Sequence, residues 1–249
     1  MSLRRTASLL FCLAGLISFL PARTDARITG EADAIITRAR ALVGEEEVLR
    51  NVRALMIHGR EISADGEREM TYHAVLKRPL FQRVEQNDGT SLTATAIDGT
   101  EGWILRRDLA APLASAQVMP MSTVLFRRMR SNTISNLYFY RGYEEFGGEV
   151  VLLEEREFAG RPVHVLEFRE DPRNPLQRFF DKETGRLVAT KIGDGITLIE
   201  RGEQFIAGIR FPEEIESHVD GELVGRMTLD TVQVNQPVDL GIFQYPRIR

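Results

Sequence analysis

The chain holds 36 carboxylates, four histidines and one cysteine in 249 residues, so the first question is whether any of them share a site. Counting back from a two-residue turn at Asp65-Gly66 sets His58 opposite His73. Two imidazoles across a hairpin would begin a metal site, but a structural zinc takes four ligands. No nearby spacing supplies the other two, and the pair reads as ordinary surface histidines. His164 and His218 are isolated. Glu154-Glu155 and Glu213-Glu214 resemble paired carboxylates, yet neighbours on a strand point to opposite faces and do not share a site. There is no Gly-x-Ser-x-Gly elbow, phosphate-cradling loop or dinucleotide fingerprint. These residues imply a protein that is not an enzyme and uses no metal or cofactor.

One polar residue stands out by position. In the same hairpin Leu55 faces Leu76, Ile57 faces Ala74 and Gly59 faces Tyr72. Alternation gives one face Leu55, Ile57, Tyr72, Ala74 and Leu76, and the other His58, Arg60, Thr71, His73 and Lys77. Lys77 then points to the polar face and Arg78 to the apolar one, and Pro79, lacking an N–H, ends the ladder. A guanidinium at the rim of an apolar surface needs partners, and its five donors suit carbonyls or carboxylates. The alternative is an arginine reaching water from the sheet edge.

The elements that position these residues are mostly strands. Residues 1–26 have the form of a secretory signal peptide: two early arginines, an apolar run, and small residues before a cut after Ala26. The run is shorter than the roughly 20 residues of a membrane span, although an uncleaved anchor is the alternative. Phe11 stands where lipid attachment to Cys12 would want a small residue. Cleavage removes the only cysteine, leaving no disulfide. The whole chain has a net charge of −4 and no basic block, which argues against nucleic acid. Export without cysteine suits a periplasm.

Residues 31–43 carry an apolar stripe at helical spacing, with Thr29 to cap its start and Gly44 its end. From residue 51 onward, runs separated by Asp-Gly, Asn-Asp-Gly and Ala-Gly turns indicate an antiparallel meander. Eleven runs can be named: 51–64, 67–79, 81–86, 91–97, 102–107, 150–158, 163–170, 176–180, 186–192, 215–219 and 223–234. So many strands curl a sheet. Residues 109–146 interrupt the series as a helical insertion, capped by Ser122 and rich in aromatics at 138–140, with Met119-Pro120-Met121 as a packed loop or a lipid-touching one. Residues 27–249 read as a single domain.

The order of these pieces resembles the LolA/LolB-like lipoprotein carriers. Lys77-Arg78-Pro79 precedes a polar hairpin and then Ile97-Asp98-Gly99-Thr100-Glu101-Gly102-Trp103. Later come Phe179-Phe180-Asp181-Lys182-Glu183-Thr184-Gly185-Arg186-Leu187 and the closing Phe243-Gln244-Tyr245-Pro246. The resemblance implies a mainly β (α+β) fold: an incomplete antiparallel β-barrel of about eleven strands, with helices covering its concave face. It implies a monomeric periplasmic carrier of lipid acyl chains or lipoproteins, exchanging with inner- and outer-membrane partners, with Arg78 as a latch between sheet and helical lid. Relatives on this fold also act as envelope-stress sensors, the alternative function. The chain departs from the pattern in its longer middle insertion and in lacking a lipobox. Candidate cavity residues are Leu55, Ile57, Tyr72, Leu76, Phe81 and Trp103; ordinary core packing is the alternative for each.

Overall fold

The computed structural model describes residues 28–111, 116–170, 175–193 and 195–246; the expected signal peptide and Pro112 lie outside them. The described chain opens with helix α1 (Gly30–Ala41) and the short α2 (Glu46–Arg50). Strands β1 (Ala54–Ser63), β2 (Glu69–Lys77), β3 (Phe81–Asn87), β4 (Ser91–Ile97), β5 (Gly102–Asp108) and β6 (Gln117–Pro120) lead to helix α3 (Thr123–Leu137). Nine strands follow it: β7 (Glu149–Phe158), β8 (Arg161–Arg169), β9 (Leu176–Asp181), β10 (Leu187–Ile192), β11 (Ile196–Arg201), β12 (Gln204–Ile206), β13 (Ile209–Phe211), β14 (Glu214–Val219) and β15 (Glu222–Val234).

Thirteen of these form one antiparallel sheet in the order β6-β5-β4-β3-β2-β1-β15-β14-β11-β10-β9-β8-β7, and β12–β13 is a separate hairpin. The sheet does not close into a barrel; β6 and β7 are its edges. Ile28 forms a parallel bridge on Val150 of edge strand β7. All eleven strands named from the sequence are present. The strands beyond these eleven are β6, β11, β12 and β13. β6 replaces the expected loop at Met119 and Pro120: it pairs only with β5, so the N–H that Pro120 lacks is not needed. β12 and β13 have three residues each, too few to show a period.

The β1–β2 register is Leu55↔Leu76, Ile57↔Ala74 and Gly59↔Tyr72, without a bulge. On its other side β1 shifts register against β15 between His58 and Gly59. A Cβ at Gly59 would lie 2.1 Å from the Thr228 carbonyl oxygen, so this close strand approach demands glycine. Further shifts interrupt the β7–β8, β9–β10 and β14–β15 pairs; bulges of this kind bend and twist a large sheet.

The helices cover the concave face. Thr29 accepts a hydrogen bond from the Ala32 N–H at the start of α1, and Ser122 accepts one from Leu125 at the start of α3. Glu31 and Asp33 occupy the first turn of α1, where carboxylates favour the positive end of the helix dipole. The buried residues of α1, the buried half of α3 and the aromatic segment 138–140 pack on Leu55, Leu76, Leu166, Phe168, Phe180 and Leu229 of the sheet in the main core.

The convex face has its own cover. The turn Leu240–Phe243 lies against β3 and β5: Trp103 Nε1 donates to the Phe243 carbonyl at 2.8 Å, Arg83 Nη1 to that of Ile242 at 2.9 Å, and the Phe81 and Phe243 rings are 5.3 Å apart.

Candidate ligand-binding cavity

Between the concave face and α3 lies a cavity of about 480 Å³, within the usual range of small-molecule sites. Its wall is largely apolar. Strands β1 and β2 supply Leu55, Ile57, Tyr72 and Leu76, the C-terminal strands supply residues such as Leu198, Ile215 and Leu229, and the helix side supplies Leu125, Met129 and Phe139. The concave face offers these side chains because the hairpin register sets them two residues apart on one side.

Of the seven residues singled out from sequence, the structure brings Leu55, Ile57, Tyr72 and Leu76 together in this wall. Phe81 and Trp103 are elsewhere, which corrects their expected position. Phe81 pairs with Lys77, and Trp103 pairs with Ala96, which pairs with Arg83, which pairs with Val75. Paired residues share a face, so both aromatics belong to the convex side. There the 240–243 turn covers them, with Trp103 buried and Phe81 half-buried, a cover whose docking place the sequence did not disclose.

Arg78 is not part of the cavity wall; it ties the sheet to the end of the helix. Its Nη2 donates to the Leu137 carbonyl at the end of α3, at 2.8 Å, and its guanidinium lies 4.1 Å from the centre of the Tyr138 ring. Tyr138 in turn donates to the Pro79 carbonyl at 3.4 Å. Burial lowers the Arg78 pKa, partly opposed by Tyr138. Arg78 Nε is enclosed without an acceptor.

Two further arginines on this side were not recognised in the sequence. Arg40 on α1 is buried; Nη1 donates to the carbonyls of Tyr138 (2.6 Å) and Phe139 (2.5 Å), while Nε and Nη2 grip Glu46 at 2.8 and 2.9 Å. It thereby holds a segment whose Phe139 and Tyr140 have positive φ, 48° and 73°, a conformation bulky residues adopt only when their surroundings impose it. Arg178 on β9 is 6 % exposed and forms part of the cavity wall, its guanidinium 4.6 Å from the Tyr140 ring and 4.9 Å from the Phe168 ring. Both had a signal: Arg40 falls four residues after Ile36 in the apolar stripe of α1, and Arg178 alternates with Leu176 and Phe180.

Helix α3 adds polar side chains to the wall, Arg128, Ser131, Asn132, Ser135 and Asn136, and the sheet adds Glu61, Thr190 and Ser217. Arg210 pairs with Glu200 at 3.0 Å. Burial pushes the Tyr140 phenol up to about 12, with Glu200 adding to the rise, and pushes Tyr72 up to about 12, with Glu61 adding. Both phenols stay neutral at physiological pH. Helix α3 is buried unevenly: Met129 just before its middle and Ser131, Thr133, Ile134, Ser135 and Leu137 in its second half are buried, with Thr133 donating to Gln82 of β3, whereas Val124 near its start is 62 % exposed.

The histidines lie away from the cavity. His58 and His73 stack on the convex face with ring centres 4.0 Å apart. Among the described residues, no group of three or more His, Cys, Asp or Glu side chains is placed to hold a metal.

No family model and no curated protein matches the sequence. Solved structures do match. A LolA superfamily protein from Nitrosomonas europaea aligns over 86 % of this chain and 97 % of its own, with a TM-score of 0.55 at 15 % identity. The chain has a LolA-like fold. A DUF1329 family protein from Desulfovibrio piger aligns over the same shares with a TM-score of 0.54 at 11 % identity. The LolA-like fold thus accounts for the sheet and the helical layer over its concave face. At these identities the likeness concerns the fold, and the contents of the cavity have to be argued from its own residues.

Proposed function

We propose that the protein is a non-enzymatic periplasmic carrier, exported by residues 1–26, that shelters the acyl chains of a lipid or lipoprotein bound for the outer membrane. The observation that carries this reading is the apolar cavity of about 480 Å³ between sheet and α3. Transfer of an acyl chain from water gains about 0.8 kcal/mol per CH₂. A chain of roughly 15 such groups therefore gains on the order of 10 kcal/mol before ordering costs. A carrier must also give that energy back, so its cover must move. The uneven burial of α3 suits this: Arg78, Arg40 and Gln82 anchor its C-terminal half and the segment after it, Val124 near its start is exposed, and in this reading the start of the helix, with Leu125, is the part that opens. In this reading Arg78 is the latch, Leu55, Ile57, Tyr72 and Leu76 hold cargo, and release is to membrane-protein partners.

Lipid extraction and mass spectrometry of protein purified from its envelope test the proposal, followed by titration of the stripped protein with a fluorescent acyl probe. Bound acyl lipid and saturable uptake of the probe are expected. Protein that carries no lipid and takes up no probe would refute the carrier reading and leave the sensor or interaction module as the use of this scaffold.

A further inference from the structure

The cavity wall contains a charge without a counterion. Arg178 is 94 % buried, since only 6 % of its surface is exposed, and among the described residues no carboxylate lies within ion-pair distance of it. Its Nε and Nη1 are enclosed and have no acceptor. The neighbouring rings of Tyr140 and Phe168 engage the π face of the guanidinium. The N–H donors lie in the plane of the group, so stacking leaves them unspent. A guanidinium does not lose its proton to escape burial, and an uncompensated buried charge is costly.

The other buried arginines nearby show what compensation looks like here. Arg40 has Glu46 and two carbonyls, and Arg210 has Glu200. The charged residues of the wall are three arginines, 128, 178 and 210, against two glutamates, 61 and 200, the two phenols, Tyr72 and Tyr140, being neutral. The surplus is positive, and Arg178 is its most buried member. Most of the exposed wall is apolar, with Leu55, Ile57, Leu76 and Leu229 on the sheet, so an occupant that satisfied both that wall and this charge would be a chain with one anionic end.

We propose that the cavity takes a single-chain amphiphile with a carboxylate head, a long-chain fatty acid, and that Arg178 receives the carboxylate while the chain lies against Leu55, Ile57, Leu76 and Leu229. This deepens the carrier reading and rests on it. The fork of a guanidinium matches a carboxylate, and a hydrogen bond to a charged group is about twice as strong as a neutral one. The head group is thereby the part of the cargo that the protein reads, and the chain the part that supplies affinity.

The test compares three probes with the same sixteen-carbon chain below their micellar concentrations: hexadecanoate, hexadecanol and hexadecyltrimethylammonium, each displacing a fluorescent acyl probe. Wild-type protein is expected to bind hexadecanoate about ten- to a hundredfold more tightly than hexadecanol, with the cation weakest. Arg178→Gln is expected to lose that preference, and Arg178→Lys to keep part of it. Equal wild-type affinity for carboxylate and alcohol would overturn the head-group assignment and leave the carrier standing. Failure to bind any of the three would overturn both. The wild-type comparison decides the matter even if Arg178→Gln does not fold. A preference that survives unchanged in a folded Arg178→Gln protein would also overturn the assignment.

Discussion

Arg40, Arg78 and Arg178 all sit against apolar surface, and their partners decide what each one does. Arg40 is a structural clamp: replacing it with Met removes its hydrogen bonds to the Tyr138 and Phe139 carbonyls beside a positive-φ pair, leaving the former only the Arg141 N–H. The expected cost is about 2–3 kcal/mol in chemical denaturation, from the loss of charge-assisted hydrogen bonds. Glu46→Gln should cost less than about 1 kcal/mol, because that carboxylate is 54 % exposed. Arg78→Leu removes one hydrogen bond and one cation–π contact, about 1–2 kcal/mol together. The variant should still fold, with its effect appearing in the rate at which a fluorescent acyl probe exchanges. Unaltered exchange would remove Arg78 from the release mechanism. Arg78 was legible in the sequence because a two-residue turn fixed the register and hence its face. Arg40 and Arg178 gave the same kind of signal, a cation inside an apolar pattern, but such a pattern is found by counting its apolar members. A cation within it goes unnoticed until its partners, from distant parts of the chain, are known.

The β1–β2 hairpin is the element the sequence determines most completely, since turn, register and faces all follow from alternation. It also carries the stacked His58–His73 pair. Burial lowers the His73 pKa, helped by His58 and opposed by Glu85, with Arg83 adding to the fall. The unfolded chain therefore binds the proton more readily than the folded one. Stability associated with His73 is complete above about pH 6.5 and is lost as pH falls from there through the lowered folded value. Denaturation midpoints measured from pH 7.5 to 5 should drop less steeply in His73→Gln than in wild type, and parallel profiles would contradict this. The elements that escaped the sequence are those without a period. β11 is half-buried along most of its length, β12 and β13 have three residues each, and β6 holds a proline that only an edge strand tolerates. Helix α3 was legible from its Ser122 cap and its pattern, but its unequal halves depend on the depth of the sheet beneath. Hydrogen exchange should be slower in the second half of α3 than in the first, and an acyl ligand should slow the first half.

At the scale of the molecule, a wide sheet curls, its ends stay apart, and the helices that roof its concave side leave a hollow there. The fold class was legible because many closely spaced turns permit little else. The placement of Phe81 and Trp103 was not, because an aromatic residue seeks whichever cover the chain provides, and the 240–243 turn provides it on the convex side. A cavity-bound ligand stabilises the folded state by mass action, about 2.7 kcal/mol at a hundred times its dissociation constant. Leu229→Trp, which fills the hollow from its floor, should abolish that gain in thermal denaturation with the acyl probe. The most direct test of the central claim is photocrosslinking with a diazirine-bearing fatty acid, followed by mass-spectrometric mapping of the labelled peptides. Labels confined to the peptides that line the cavity, from β1, β2, β9–β11, β13–β15 and α3 with the segment after it, competed away by excess unlabelled fatty acid, are the predicted result. Labels on the convex peptides around Phe81, Trp103 and Phe243, or none that compete, would contradict it.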